Sequence, residues 1–494
     1  MKRVLSLTGG LLLGLAGPAV FLIVEQGMGW SGFPLDDAWI HQTYARSLAT
    51  GAGWIYSGGA PSGGSTSPLW TVMQIPSFWI GISPVVWSTM LGILFLLCTA
   101  TLIMLWIRRA DPAAARWAFL LCVAEWHLVW AALSGMETIL FCSWIALMIF
   151  IFFPIVPRRN GATTGLGKRV LFGLLAGAGI WIRPEALLLA GLILSVDLLC
   201  RKRTPVRQTL SFLLGFLLPI TVYFLFEYQL TGRLLPNTFF VKTAEYAPLT
   251  TSSIFQRMLS PWPALLAGSG ILLILFIPAA IGSLARHRRV VASLPALWAA
   301  GHLVLYAVQL PATYQHGRYF LPILPVLIGY GVYGFFLISR RFRSINLVRI
   351  LVRTLGAASV GLTVVFLWVG AQQFARDVEI IEEIVALSRW ISDHTACDYV
   401  VAAHDIGALG FWGNRRLLDL GGVTNLEALP LLRGTVSLRE FLSQKEVDLL
   451  MTMPMFYPQD VDSCIPIPEA PVGSSPRDPR YRTLLFDLRT GCTW

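Results

Sequence analysis

Long apolar runs separated by short polar breaks recur up to residue 372. With about 20 apolar residues as the length that crosses a bilayer, about eleven segments qualify as spans. They are 4–25, 84–107, 117–133, 137–156, 170–182, 186–200, 209–229, 262–285, 291–310, 320–339 and 350–371. The pair 170–182 and 186–200 is interrupted by Arg183-Pro184-Glu185, so it reads as a hairpin that tilts or reaches only part way. Segment 68–82 is apolar but carries Pro68 and Pro76, with Pro84 just beyond, and predicts a helix at the interface; a twelfth span is the alternative. The run that follows Met1-Lys2-Arg3 extends to Val24, longer than the apolar stretch of a secretory signal, and reads as an uncleaved first span. Beyond 372 the pattern changes. Residues 375–394 have helical periodicity, with Val378, Ile381, Ile384, Val385 and Leu387 among charged positions. Short strands are expected over 398–403, 417–420, 447–453 and 482–488, and a helix over 438–445.

Composition supports this reading. The chain has 494 residues, 55% hydrophobic and only 13% charged, against about 25% charged in an ordinary soluble domain. The net charge of +11 would admit nucleic acid as a partner, but the basic residues form no single stripe. They sit in short clusters between apolar runs: Arg108-Arg109, Arg158-Arg159, Lys168-Arg169, Arg201-Lys202-Arg203, Arg286 with Arg288-Arg289, and Arg340-Arg341 with Arg343. Such clusters mark cytoplasmic loops. With the N-terminus and every cluster in the cytoplasm, the non-basic connections 26–83, 134–136, 183–185, 230–261 and 311–319 face outward, as does the C-terminus. The expected architecture is mainly α. A polytopic transmembrane helical bundle occupies 1–372, with 26–83 as its first outer loop, and a small extracytoplasmic α/β domain occupies 373–494. The expected location is the plasma or inner membrane.

The outer connections hold the candidate chemistry. Asp36 and Asp37 lie adjacent just past the first span, followed by Arg46. Two carboxylates held close together repel, which raises the pKa of one of them. A carboxylate so poised could take a proton from an acceptor hydroxyl. The pair could instead ligate a divalent cation, the one cofactor the residues suggest, or one member could simply cap the helix over 38–50. Glu137 starts a span, Arg183 and Glu185 form a hairpin tip, and Asn237 and Lys242 follow the seventh span. His316, Arg318 and Tyr319 follow the ninth. Ionisable groups at such depths are costly and mark functional sites, although a snorkelling charge or a structural ion pair explains each one singly. Together they suit a lipid-linked phosphate: cations for the phosphate and a carboxylate for the reacting hydroxyl. Among the seven cysteines, Cys464 and Cys492 could pair in an oxidising compartment. No Cys/His spacing suggests zinc.

These segments resemble the GT-C superfamily of polyprenyl-phosphate-dependent glycosyltransferases, in particular the mycobacterial terminal arabinofuranosyltransferase family. The resemblance rests on Asp36-Asp37-Ala38, Tyr44-Ala45-Arg46, Thr66-Ser67-Pro68-Leu69-Trp70, Ser134-Gly135-Met136-Glu137-Thr138 and Arg183-Pro184-Glu185. It continues through Leu235-Pro236-Asn237-Thr238-Phe239 with Lys242, His316-Gly317-Arg318-Tyr319, Asp405-Ile406-Gly407-Ala408 and Leu418-Asp419-Leu420-Gly421-Gly422. Trp39-Ile40-His41 departs from it, since the family more often has Tyr or Phe after the Ala. The resemblance implies a sugar carried on polyprenyl phosphate, inversion at the anomeric centre, and a first-loop acid as general base.

The resulting expectation is an inverting, extracytoplasmic transferase of cell-envelope biogenesis. It would move arabinofuranose or another pentose or hexose to a glycan, lipid or protein acceptor. Asp36 is the favoured base and Asp37 its capping or orienting partner. Lys242, Arg318, His316 and Arg183 are the phosphate-binding candidates, in falling order. Glu137 and Glu185 orient those cations, and Arg46, Asn237, Tyr319 and Asp405 contact substrate. The alternatives are a flippase or transporter of lipid-linked sugar and a non-catalytic glycolipid-binding scaffold. A transporter would be expected to show repeats and broken helices at the midplane, whereas these residues lie at the rim.

Overall fold

The apolar runs fold as helices. The computed structural model describes residues 2–56, 61–155, 165–199, 206–268, 270–471 and 478–492. The clusters Arg158-Arg159 and Arg201-Lys202-Arg203, and Cys200, lie outside the described residues. Pro84–Arg108, Val206–Thr231, Tyr314–Arg341 and Asn346–His394 are long and apolar enough to cross a membrane; Pro112–Ala124 with Trp126–Leu133, bent by 52°, makes a fifth if counted as one span. Shorter apolar helices are Leu13–Gly27, Thr138–Phe152, Ala186–Leu199 and Gly270–Leu284. The protein is mainly helical, and these helices make it a multi-pass membrane protein.

Three boundaries differ from expectation. The segments 262–285 and 291–310 were separated on charge alone, but one helix, Ile277–Gln309, runs through the cluster at Arg286, Arg288 and Arg289. Arg is a good helix former, and charge by itself does not end a helix. The span at 350–371 and the amphipathic helix at 375–394 likewise join into the single helix Asn346–His394. Conversely, 117–133 is broken at Glu125, whose backbone is extended (ψ 114°) and whose side chain bonds His127 Nδ1 at 2.9 Å.

The chain divides into two compact units. The first comprises residues 1–24, 89–223 and 249–373. Small residues let its helices approach closely. A Cβ on Gly173 would lie 2.2 Å from the Phe212 carbonyl oxygen, and one on Gly215 would lie 2.1 Å from that of Val170. Arg169, expected as a loop cation, is instead buried and bonded to Asp197 at 2.8 Å; Thr209 Oγ1 donates to the other Asp197 oxygen. Asp111 caps the helix Pro112–Ala124 by accepting from the amides of Ala113 and Ala114, and it pairs with Arg340 at 2.6 Å.

The second unit comprises residues 25–88, 224–248 and 374–494. Its sheet contains β1 (Val400–Ala403), β2 (Arg416–Asp419), β3 (Leu449–Thr452) and β4 (Leu484–Asp487), in the order β2-β1-β3-β4. β1, β3, β4 and the helix Leu438–Ser443 form within the segments expected to hold them, and β2 begins one residue before 417–420. β1 pairs in parallel with β2 and β3, while β4 pairs antiparallel to β3. A core including Leu418, Leu431, Phe441, Leu450 and Phe486 backs the sheet. Cys464 and Cys492 form a disulfide. The helix Pro68–Ile80 has 13 residues, short of the about 20 that a span needs. It packs beside the helix Asp37–Ala49, where His41 Nδ1 bonds Thr71 Oγ1 at 2.8 Å and Gln42 Nε2 donates to Ser88 Oγ at 3.0 Å.

Candidate functional site

In the second unit Asp36 precedes the helix Asp37–Ala49, but its side chain makes no cap hydrogen bond there. Its carboxylate instead accepts from the amides of Gly407 (2.6 Å) and Ala408 (2.8 Å), at the start of the helix Gly407–Trp412. Arg46, near the other end of Asp37–Ala49, donates to the Phe411 carbonyl at 2.8 Å and lies over the Phe411 ring. The two helices therefore run side by side, with a carboxylate on the amide end of Gly407–Trp412 and a guanidinium on its carbonyl end. That placement complements the backbone dipoles. Gly407 is required here because a Cβ would come within 1.9 Å of the Asp36 carbonyl oxygen.

Burial first, and then the charge of Asp405, push the Asp36 carboxyl up to about 7 against the pull of the two amides. Asp37 is half-buried beside it. Asp405 follows β1 and contacts His404, whose Nδ1 lies 3.4 Å from Asp405 Oδ1 and whose Nε2 lies 3.9 Å from Glu245 Oε1. Burial opposes charge on His404, but the hydrogen bond to Asp405 and the carboxylates of Asp405, Glu245 and Asp419 outweigh it and raise the group to about 9. Asp419, at the end of β2, accepts from the Thr424 amide (2.6 Å) and hydroxyl (2.8 Å) through Oδ2. Asn237 Nδ2 donates to the Thr424 carbonyl at 3.1 Å. Lys242 is half-buried on the neighbouring helix Asn237–Glu245.

Both Asp36 and His404 have folded-state pKa values above their ordinary ones, so each binds protons preferentially when folded. The Asp36 contribution to stability is lost between about pH 4 and 7, and that of His404 between about pH 6.5 and 9. Melting temperature is therefore expected to fall from pH 6.5 to 9. His404→Gln should flatten that slope, as checked by thermal unfolding across the interval.

The first unit gathers a second set. Glu137 and Arg183 are bonded at 2.9 Å, and Arg183 lies 3.2 Å from Glu185. The Tyr306 hydroxyl donates to the same Glu185 oxygen. Arg318 Nη2 donates to the Tyr319 hydroxyl at 3.0 Å, and the Arg183 guanidinium lies 5.6 Å from the Tyr319 ring. The Tyr319 carbonyl bonds His302 Nε2 at 2.8 Å. His316 lies between the rings of Trp126 and Trp130. Gln315 and His316 both have positive φ (53° and 59°), followed by Gly317 at 68°. Non-glycine residues held in that region store strain, which clusters at functional sites.

The structure thus brings Glu137, Arg183, Glu185, Arg318 and Tyr319 together in one unit, with His316 on the Trp126 and Trp130 rings. In the other it places Asp36, Asp405 and His404 in one cluster, with Asn237 and Lys242 on the helix that carries Glu245. Sequence reasoning passed over Glu125, His127, His302 and Tyr306, which lie inside apolar runs; an ionisable residue within such a run was the available signal. It also passed over His404 as an individual residue and quoted Asp419 only within a motif. Among the described residues no group of three or more His, Cys, Asp or Glu is placed to hold a metal ion.

The structural neighbours of this fold are GT-C glycosyltransferases. It matches the crystal structure of ArnT from Cupriavidus metallidurans bound to undecaprenyl phosphate with a TM-score of 0.58 and 13% identity, over 98% of this chain and 97% of that one. It matches the oligosaccharyltransferase AglB from Archaeoglobus fulgidus, in complex with an inhibitory peptide and a dolichol-phosphate, with a TM-score of 0.53 and 12% identity, over 91% and 70%. In sequence, the chain is 26% identical to the terminal beta-(1->2)-arabinofuranosyltransferase of Mycobacterium tuberculosis, over 60% of this chain and 52% of that protein. The chain therefore spans about half the length of that relative. Residues 369–484 match a family described as a domain of unknown function, DUF8728.

Proposed function

We propose that the protein is an inverting glycosyltransferase that takes a sugar from a polyprenyl-phosphate donor and places it on a hydroxyl of an envelope acceptor. The observation that carries this reading is the state of Asp36: a buried carboxylate, fixed in direction by two amides and held near neutrality by burial and by Asp405. A general base works best with a pKa near the working pH. A carboxylate that accepts two hydrogen bonds still has lone pairs for a third. In the reaction, Asp36 takes the acceptor hydroxyl proton as that oxygen attacks the anomeric carbon. The bond from that carbon to the phosphate oxygen breaks, and its electron pair leaves with polyprenyl phosphate.

The leaving phosphate needs charge stabilisation rather than a proton. Lys242, in the unit that holds Asp36, is assigned to it, and Arg318, His316 and Arg183 of the other unit are the remaining candidates. Arg183 ranks last because Glu137 and Glu185 already balance its charge. Asp37 orients the acceptor, with Arg46 and Asn237 keeping the surrounding loops in place.

The extracytoplasmic side is supported by the Cys464–Cys492 disulfide, since such bonds persist in oxidising compartments. Cys397 is exposed and unpaired, so a membrane-impermeant maleimide should label it in intact cells; labelling only after lysis would reverse the topology. The activity itself is tested with purified protein and synthetic polyprenyl-phosphate arabinofuranose or hexose. The expected product is a glycoside of inverted anomeric configuration. Movement of the lipid-linked sugar across sealed vesicles without a new glycosidic bond would instead make the protein a flippase.

A further inference from the structure

In an open sheet with parallel strands, ligands bind outside the carboxyl ends of the strands, where the chain order switches direction. In the order β2-β1-β3 the switch falls at β1, which pairs in parallel on both sides. The register aligns Ala403 with both Asp419 and Met451, so the three carboxyl ends are level. The residues at that edge carry chemistry. His404 and Asp405 follow β1, Asp419 ends β2, and Phe456 and Tyr457 lie just beyond β3; Glu245 faces His404 from its own helix. The Phe456 ring stacks on His404 with centroids 4.5 Å apart.

Two features show a site rather than a packed polar core. Asp419 is 1% exposed, yet among the described residues its Oδ1 has no hydrogen-bond partner, while Oδ2 takes both bonds from Thr424. A buried acceptor left unmade is expensive. The rim groups, by contrast, are open: the side chains of Asp405 and Glu245 are 31% and 27% exposed. Three carboxylates around one imidazole repel a phosphate or a uronate. They accept hydrogen bonds from hydroxyls, and the His404 ring adds a donor. The cluster is also continuous with the base, because Asp405 is the charge that acts on Asp36.

We infer that the carboxyl edge of β2-β1-β3, with His404, Asp405, Asp419 and Glu245, is a binding site for a neutral, hydroxyl-rich sugar ring, the acceptor of the transfer proposed above. Its identity as acceptor rests on that transferase reading; sugar binding at this edge does not. Asp405, Glu245 and His404 touch the ring. The unpartnered Oδ1 of Asp419 takes a further hydroxyl of the ring.

The test uses the full-length protein in detergent and saturation-transfer NMR with three probes: methyl α-arabinofuranoside, its amine-bearing 2-amino analogue, and a methyl uronate. The neutral glycoside is expected to give signal and the uronate none. Glu245→Gln and His404→Gln should each weaken binding of the neutral probe about tenfold, equivalent to about 1.4 kcal/mol. Asp419→Asn keeps an oxygen for Thr424 but replaces the unpartnered one, and should weaken it similarly. The rim variant Glu245→Gln keeps the test decisive if a buried substitution fails to fold. In transfer assays the same variants should raise KM for acceptor and leave KM for donor unchanged. No binding of the neutral probe by wild-type protein, preference for the amine or the uronate, or unchanged affinity in Glu245→Gln would each overturn the inference. Sugar binding without transfer by wild-type protein would overturn the transferase reading and leave this one standing.

Discussion

Asp36→Asn is expected to lower kcat by about 10²–10⁴, the range for removing a positioned general base, with KM for the polyprenyl-phosphate donor little changed. In wild-type protein, kcat/KM should rise through about pH 7 as the Asp36 carboxyl loses its proton, and the variant should lose that rise. The substitution also has a structural consequence. An amide at position 36 offers one oxygen where two amides, of Gly407 and Ala408, each need an acceptor, so one donor is left facing an NH₂ group. That penalty is about 1–3 kcal/mol and should appear as a lower melting temperature. Asp37→Asn serves as the comparison, because Asp36 keeps its two amide bonds in that variant. Full transfer activity in Asp36→Asn, measured in single-turnover assays with folded protein, would remove the base from the mechanism.

The second large effect belongs to Glu137→Gln. Glu137 is fully buried and bonded to Arg183, itself 8% exposed. Removing one partner of a buried pair leaves an uncompensated charge and costs about 3–5 kcal/mol. Here Glu185 remains beside Arg183, so the lower end of that range is expected. The measurement is thermal unfolding in detergent. The triple substitution Glu137→Gln, Arg183→Met and Glu185→Gln should recover much of the loss, because it leaves no stranded charge on either side of the cluster. If Glu137→Gln melts as wild type does, water reaches the pair and the site is more open than its burial implies. Transfer activity of the stable triple variant then reports whether the Arg183 charge is used in phosphate release.

Much of the secondary structure was legible because it is local. An apolar run long enough to cross a bilayer has to satisfy its backbone internally, and a helix does so within the segment. The short strands and the helix at Leu438–Ser443 were likewise visible as short apolar stretches among polar residues. Charge was a poorer guide. The cluster at Arg286, Arg288 and Arg289 does not interrupt its helix, and Arg169 is inside an ion pair rather than in a loop. A basic residue signals a preference for one side of a membrane but says nothing of its partner.

Of the candidate chemistry, the sequence by itself determined the residue types and their order: an acidic pair after the first helix, an Arg-Pro-Glu tip, and a His-Gly-Arg-Tyr run. Tertiary structure alone decided their partners. Asp36 could have capped its own helix; instead it holds the amides of Gly407 and Ala408, 371 and 372 residues away. Glu137 meets Arg183 across 46 residues, and His404 acquires Glu245 as a neighbour from another stretch of chain. Periodicity and propensity act over a few turns of chain, whereas the pKa of a buried acid is set by whatever dipoles and charges folding brings within a few ångströms. The acids were therefore readable in advance, and their protonation states were not.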